Sequence, residues 1–183
     1  MRSIQVKEVM VPLEDYATVS ENATLIDAVI ALETAQDEFD QSRYRHRAIL
    51  VYNDKKKIVG KISQLDLLKA LEPKYDKVFR MKELSRTGFS SHYIESLSHS
   101  GFWSKPLDDI CRKAATMEVK NFMYEPSEGE YIHEDAELNE AVHRLIIGKH
   151  QSLLVTRSGD IVGILRLTDV FKLVCEKIKE CGI

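Results

Sequence analysis

Cysteine is scarce in this chain of 183 residues, and its three copies, Cys111, Cys175 and Cys181, are an odd set without paired metal spacing. A reduced, cytoplasmic setting is therefore expected ahead of a disulfide framework, with the thiols in packing or in the tail. Charge of one sign is equally lacking: the formal net charge of −3 sets up no global field for nucleic acid. No apolar run approaches the roughly 18 residues that span a bilayer, and Met1-Arg2-Ser3-Ile4-Gln5 has no apolar stretch of the signal-peptide kind. His92, His99, His133 and His143 lack ligand spacing with Cys or carboxylates, which argues against a metal site. Cys111 carries no nucleophile signature, no Ser/His/Asp arrangement is legible, and neither Gly60 nor Gly163 lies in a phosphate-loop consensus. Nothing in the chain reads as an enzyme. Hydrophobic content of 44% with 30% charged residues is that of a globular protein and argues against long disorder.

What the chain does contain is a duplication. Val6-Lys7-Glu8-Val9-Met10 returns as Val119-Lys120-Asn121-Phe122-Met123, and Glu21-Asn22-Ala23-Thr24-Leu25 returns as Glu134-Asp135-Ala136-Glu137-Leu138, both at a shift of 113 (119 − 6 and 134 − 21). Farther on, Ala48-Ile49-Leu50-Val51 echoes Ser152-Leu153-Leu154-Val155, and Ile58-Val59-Gly60 with Asp66 echoes Ile161-Val162-Gly163 with Asp169. The shift has fallen to about 103 (163 − 60), so the first copy carries roughly ten residues that the second lacks. Tandem copies of this kind pack together, and their seam is the natural place for a site.

Within each copy the periodicities predict an extended lead-in, a helix, two strands and a closing helix. Leu25, Ala28, Val29 and Leu32 recur at helical spacing, as do Leu138, Ala141, Val142, Leu145 and Ile146. Ala48 to Tyr52 and Lys57 to Ile62 are β-prone runs around the turn Asn53-Asp54-Lys55-Lys56, and Leu153 to Thr156 and Ile161 to Leu165 flank Ser158-Gly159. Closing helices follow over Leu65 to Leu71, stopped near Pro73, and from Asp169 to about Lys179. The boundaries so drawn are residues 1–73 for the first copy, 74–118 for an inter-repeat segment and 119–183 for the second. The middle segment is too long and apolar for a tether and predicts two or three short helices. Phe89, Tyr93, Phe102 and Trp103 within it are assigned to a packing cluster rather than a stacking box. The first-copy insertion, where Glu33, Asp37, Glu38 and Asp40 lead into Arg43, Arg45 and Arg47, reads as an exposed, charged helix end or a partner-contact loop.

In their order these marks resemble a tandem pair of CBS domains, the roughly 60-residue βαββα units named after cystathionine β-synthase. Both copies have the lead-in ending in Met, an Ala-x-Leu-x-x-Ala-Val helix start (Ala23 to Val29, Ala136 to Val142), a strand, and then Ile-Val-Gly. In the family, Thr or Ser follows that glycine by three residues and Asp by six. Gly60, Ser63 and Asp66 fit, whereas Gly163 and Asp169 fit with Arg166 in the hydroxyl position. The resemblance covers most of the chain outside 74–118. It implies an α+β fold of two tandem βαββα CBS units packed as a pseudo-two-fold pair, a Bateman module of the stand-alone type without a catalytic domain.

The same resemblance implies an adenosine-containing ligand in the cleft between the units, with AMP, ADP or ATP ahead of S-adenosylmethionine or NAD and no required cofactor. Ser63 and Asp66 would hold ribose and phosphate oxygens at one site. Thr168, Asp169 and Arg166 would serve the other, and Tyr16 and Ala17 fall at ligand-contacting positions. His46, Arg47 and His150 match places where nucleotide-binding relatives carry basic residues, and Arg43, Arg45 and Lys149 add positive charge. Arg166 can reach a phosphate or pair with a carboxylate instead. Ser63-x-x-Asp66 is also a capping box, and the two roles are compatible. Gly60 and Gly163 let a strand turn tightly or let another group approach the backbone. The function expected is a homodimeric sensor of adenine nucleotides that modulates a separate, unidentified protein. The alternative is an interaction module with degenerate sites.

Overall fold

The β-prone runs form strands for a reason visible in their burial. Ile49, Leu50 and Val51 are all buried, yet they point alternately to two cores: Ile49 and Val51 to the core of the first copy, Leu50 to a cluster at the seam. Leu153 and Val155 divide from Leu154 in the same way. A strand covered on both faces needs an unbroken apolar run, which is what each copy has. The computed structural model describes residues 3–37, 47–71 and 110–181.

In the first copy, β2 (Thr18–Ser20), β3 (Ala48–Tyr52) and β4 (Ile58–Ser63) form a sheet in that order, β2 parallel and β4 antiparallel to β3. Helix α1 (Leu25–Asp37) covers one face through Leu25, Ala28 and Leu32, and α2 (Gln64–Ala70) closes the unit through Leu67 and Ala70. The second copy repeats this with β5 (Tyr131–His133), β6 (Ser152–Arg157), β7 (Asp160–Arg166), α4 (Leu138–Gly148) and α5 (Leu167–Glu180). Ser158 and Gly159, at φ 51° and 90°, make the tight turn between β6 and β7. Residues 110–118 are the described part of the inter-repeat segment and carry helix α3 (Ile110–Thr116). Phe89, Tyr93, Phe102 and Trp103 lie outside the described residues, as do His46, Arg43, Arg45, Glu38 and Asp40.

Each copy is completed by the other's lead-in. The 3-10 turn Val6–Glu8 docks on the second copy: the Val6 and Lys7 amides donate to the carbonyls of Ala136 and Glu134, and Leu138 donates to Ile4. Strand β1 (Val11–Pro12) then adds to β7, giving the four-stranded order β1-β7-β6-β5. The matching turn Val119–Asn121 docks on the first copy, with Val119 and Lys120 donating to Ala23 and Glu21 and Leu25 donating to Met117. Val6 and Val119 are fully buried in the opposite core.

This exchange explains two sequence marks together. A Cβ on Gly60 would stand 2.8 Å from the Met123 sulfur, and one on Gly163 would stand 3.0 Å from the Met10 sulfur and 2.6 Å from the Val11 carbonyl oxygen. The glycine in each Ile-Val-Gly therefore makes room for the other copy's lead-in, and tight turning is not its role. One expectation fails: Ile146, placed on the inward stripe of α4, is 69% exposed beside Ile147 at 68%. Leu138, Ala141 and Leu145 already fill the inner face, and Ile146 continues the stripe past its edge.

Candidate functional site

At the seam the two hairpins present equivalent positions to one another. Ala48 pairs with Ser63 at the end of the first hairpin, and Ser152 pairs with Arg166 at the end of the second. Each closing helix starts there, tied back by equivalent backbone bonds, Gln64 N–H to the Arg47 carbonyl and Leu167 N–H to the Gln151 carbonyl. Between them lies a cleft of about 460 Å³, within the usual range for small-molecule sites. Tyr16, Arg47, Ser63, Asp66, His150, Arg166 and Thr168, all singled out from sequence, line it together. Ala17 does not: it packs against the first core, and its carbonyl accepts from the Leu50 amide. Asp169 borders a separate cavity of about 250 Å³ beside Glu8, Met10 and Lys172. His46 lies outside the described residues.

Asp66 sits three residues into the helix numbering from its cap, Ser63. Its carboxylate accepts from the Ser63 amide at 2.9 Å and the Ser63 hydroxyl at 2.6 Å, while Ser63 Oγ accepts from the Asp66 amide at 3.2 Å. Lys69 stands 3.5 Å from the other carboxylate oxygen. The capping reading is thus realised. It leaves acceptor capacity, because a carboxylate offers about four lone-pair directions.

The second copy resolves its departure differently. Arg166, only 5% exposed, turns its guanidinium on Asp169, with Nε 2.5 Å from one oxygen and a terminal nitrogen 2.6 Å from the other. Of the two roles open to this arginine, pairing with a carboxylate is the one observed. Nearby Tyr16 is buried, and burial raises its hydroxyl well above the ordinary value against the opposing pull of the Arg166 charge.

Three further residues in the cleft escaped sequence reasoning. Lys61 and Tyr124 form a mutual backbone pair, 2.9 Å in each direction, and both side chains converge on Glu130. Glu130 is 1% exposed; it takes an ion pair from Lys61 and bonds from Tyr124 Oη at 2.5 Å and the Ser127 amide at 3.1 Å. Burial pushes this carboxyl up, but the bonds from Lys61, Tyr124 and Ser127 prevail and leave it below its ordinary value. The Tyr124 hydroxyl is pushed up to about 12, first by its bond to Glu130 and then by burial. The legible signal was Ser127-x-x-Glu130, a capping box realised in the structure. At the repeat shift its counterpart is Ala17 (130 − 113), so the duplication hid the residue rather than announcing it.

Ala48, Leu65 and the Tyr16 ring give the cleft apolar wall, Asp66 gives acceptors, and Arg47, Lys149 and His150 give positive charge and donors. The arrangement suits a flat apolar group joined to a polyol and an anion. Among the described residues no three His, Cys, Asp or Glu side chains gather as a metal site, and no helix is long and apolar enough to cross a membrane.

Comparison with known proteins agrees with this architecture. The family model for the CBS domain matches residues 6–73 and 119–176. Among solved structures the chain is similar to a hypothetical conserved protein of Geobacillus kaustophilus, at 19% identity and TM-score 0.61, with 96% of this chain and 99% of that chain covered. It is similar to CBSX2, the CBS-pair protein of Arabidopsis thaliana, at 18% identity and TM-score 0.58, with 97% and 99% covered. The structure of CBSX2 in complex with AMP aligns at 18% identity and TM-score 0.59 over 94% of this chain and 97% of that one. No curated protein matches the chain.

Proposed function

Because the chain belongs to the CBS-domain family, we propose that its central cleft binds an adenine nucleotide, AMP, ADP or ATP ahead of S-adenosylmethionine or NAD, and that occupancy alters how a separate protein is engaged. The observation that carries this reading is the convergence of Asp66, with its Ser63 partner, and the basic residues of both copies on one cleft. Asp66 accepts from the ribose hydroxyls, and the purine lies against the apolar wall. The AMP complex of CBSX2 supports this ligand class. A ligand gripped by both copies favours one relative packing over others, which is what a sensor needs. The role is regulatory and non-catalytic. The protein works as a homodimer; exposed Ile26, Ile30 and Leu68 on the first copy and Ile147, Phe171 and Ile178 on the second provide apolar surface for association.

The second reading, an interaction module with degenerate sites, draws on the Arg166–Asp169 pair, in which the protein's own arginine holds the carboxylate of the second copy. A thermal-shift panel on verified ligand-free protein separates the two. AMP, ADP or ATP at about 100 times its dissociation constant should add roughly 2.7 kcal/mol to folding, a shift of several degrees lost in Asp66→Ala. Absence of any shift in the unsubstituted protein would leave the interaction module as the better reading.

A further inference from the structure

The two places where a lead-in crosses a hairpin are built from opposite materials. Tyr124 of the second lead-in pairs with Lys61 on β4, and Val11 of the first pairs with Ile164 on β7. Ile164 is the repeat equivalent of Lys61 at the later shift (164 − 61), and Val11 and Ala17 are those of Tyr124 and Glu130 at the earlier one (124 − 11 and 130 − 17). Val11 and Ile164 are buried together in the seam cluster, so the fold closes this crossing well with aliphatic side chains. At the other crossing the chain buries an ion pair, with the Lys61 and Glu130 side chains 16% and 2% exposed. Relative to apolar residues of similar volume, a buried ion pair adds little or nothing to stability, so stability does not account for the difference.

Position in the cleft does account for it. Lys61 and Ser63, two residues apart on β4, point to the same face about 7 Å from one another. Ser63 stands opposite Ala48, and Lys61 stands opposite Leu50 of the seam cluster. Arg47 and Gln64, joined by a backbone bond, lie just beyond Ser63. The cleft therefore runs from Arg47, past Ser63 and Asp66, to Lys61, Tyr124 and Glu130. A nucleotide with its anion at Arg47 and its ribose at Ser63 and Asp66 brings its base to the three residues at the far end. What they present is set by Glu130, which takes the Tyr124 hydroxyl proton at 2.5 Å and one ammonium proton of Lys61. The Tyr124 oxygen is left as an acceptor and the remaining Lys61 protons as donors. They stand side by side, the ammonium 5.1 Å from the Tyr124 ring centre.

We infer that Lys61 and Tyr124 are specificity-determining residues that read the polar edge of the ligand's base, with Glu130 as the positioning residue that orients both. This rests on the reading of the cleft as a nucleotide site and deepens it. The adenine edge carries an amino donor beside a ring-nitrogen acceptor, which match the Tyr124 oxygen and the Lys61 ammonium. A purine without a substituent at C6 leaves the Tyr124 oxygen unpaired, and a site built on such bonds rejects it. The device serves the first copy's side alone, because the side chains of Val11, Ala17 and Ile164 offer a base no polar atom.

The test is calorimetric titration of the ligand-free protein with AMP, IMP and purine riboside 5′-monophosphate, beside Tyr124→Phe and the triple variant Lys61→Ile, Tyr124→Val, Glu130→Ala, which copies the apolar set of the other crossing. Tyr124→Phe removes one oxygen and keeps the ring, so it reports on the inference even if the triple variant does not fold. The parent should bind AMP about tenfold or more tighter than the unsubstituted purine nucleotide. That ratio should shrink in Tyr124→Phe and vanish in the triple variant, which should resist denaturant at least as well as the parent. Preference for IMP over AMP that is lost in both variants would uphold the three residues as the base reader and overturn the adenine reading. Equal binding of AMP and the unsubstituted nucleotide by the parent, or a ratio unaltered in Tyr124→Phe, would overturn the inference while leaving the nucleotide site standing. Absence of binding by every nucleotide would overturn both.

Discussion

The sulfur of Met123 rests 2.8 Å from the point a Cβ on Gly60 would occupy, so a residue of one copy's lead-in fits only because the other copy's strand has no side chain there. At Gly163 the same point is 2.6 Å from the Val11 carbonyl oxygen, a backbone atom, as well as 3.0 Å from the Met10 sulfur. Gly60→Ala should cost about 1–3 kcal/mol through overpacking, and Gly163→Ala more, because a methionine can swing aside and β1 cannot. In denaturant titrations Met123→Ala should recover part of the loss in Gly60→Ala, and Met10→Ala should recover little in Gly163→Ala. Equal recovery at both positions would contradict this account.

The crossed lead-ins predict that a substitution in one copy loosens the other. Val6→Ala and Val119→Ala each remove buried methyl groups at a cost of about 2 kcal/mol. Hydrogen exchange should show the first speeding exchange in β6, β7 and α4 and the second in β3, β4 and α1. Faster exchange confined to the mutated residue's own repeat would rule out the exchange of segments.

Much of this architecture was legible because it obeys short-range rules. The runs Ile49 to Val51 and Leu153 to Val155 are two-faced strands and read as such, and Leu25, Ala28 and Leu32 bury as their spacing demands. Ser63, Asp66, Arg47 and His150 meet in one cleft because the ends of the two hairpins, where each closing helix begins, face one another across the seam. What could not be read depends on neighbours far away in sequence. Nothing around Val6 says that its core lies near Ala136, and Lys61, Tyr124 and Glu130 meet only after the lead-ins have crossed. Arg166 was ambiguous for the same reason, since either partner was within reach of its side chain.

Glu130 should govern part of the acid limb of stability. Its carboxyl is held below the ordinary value, near 4.3 for a glutamate, so the unfolded chain binds the proton more readily than the folded one. The stabilisation is therefore complete above about pH 4.3 and is lost as pH falls through the lower folded value. Glu130→Gln leaves Lys61 without its charge partner and should cost about 3 kcal/mol near neutrality. The difference between variant and parent should shrink on acidification; a difference constant from pH 7 to pH 3 would sink this assignment.

The Arg166–Asp169 pair predicts one nucleotide per chain. Arg166→Ser restores a hydroxyl three residues before the carboxylate and releases Asp169, so calorimetric stoichiometry should rise toward two. An unchanged stoichiometry in a folded variant would mean that the pair is not what closes the second position.

Association through the exposed apolar helix faces predicts that Leu68→Glu and Phe171→Glu, at residues 61% and 60% exposed, weaken the homodimer with little effect on the monomer core. Light scattering at micromolar concentration should give a dimer for the parent and a monomer for the double variant. A monomeric parent would overturn the dimer.

The exchange of lead-ins also fixes an order of events during synthesis. Val6 must wait for Ala136, 130 residues later (136 − 6), before its amide has a partner, and the first core stays open at Leu25 until Met117 has been made. Because each core takes a valine from the other copy's lead-in, neither repeat is finished when its own residues are complete, and the long-range contacts that finish it slow folding. The lead-in at Val6 can therefore take up its native bonds only once the second copy's Ala136 is in place, however early its own residues are made.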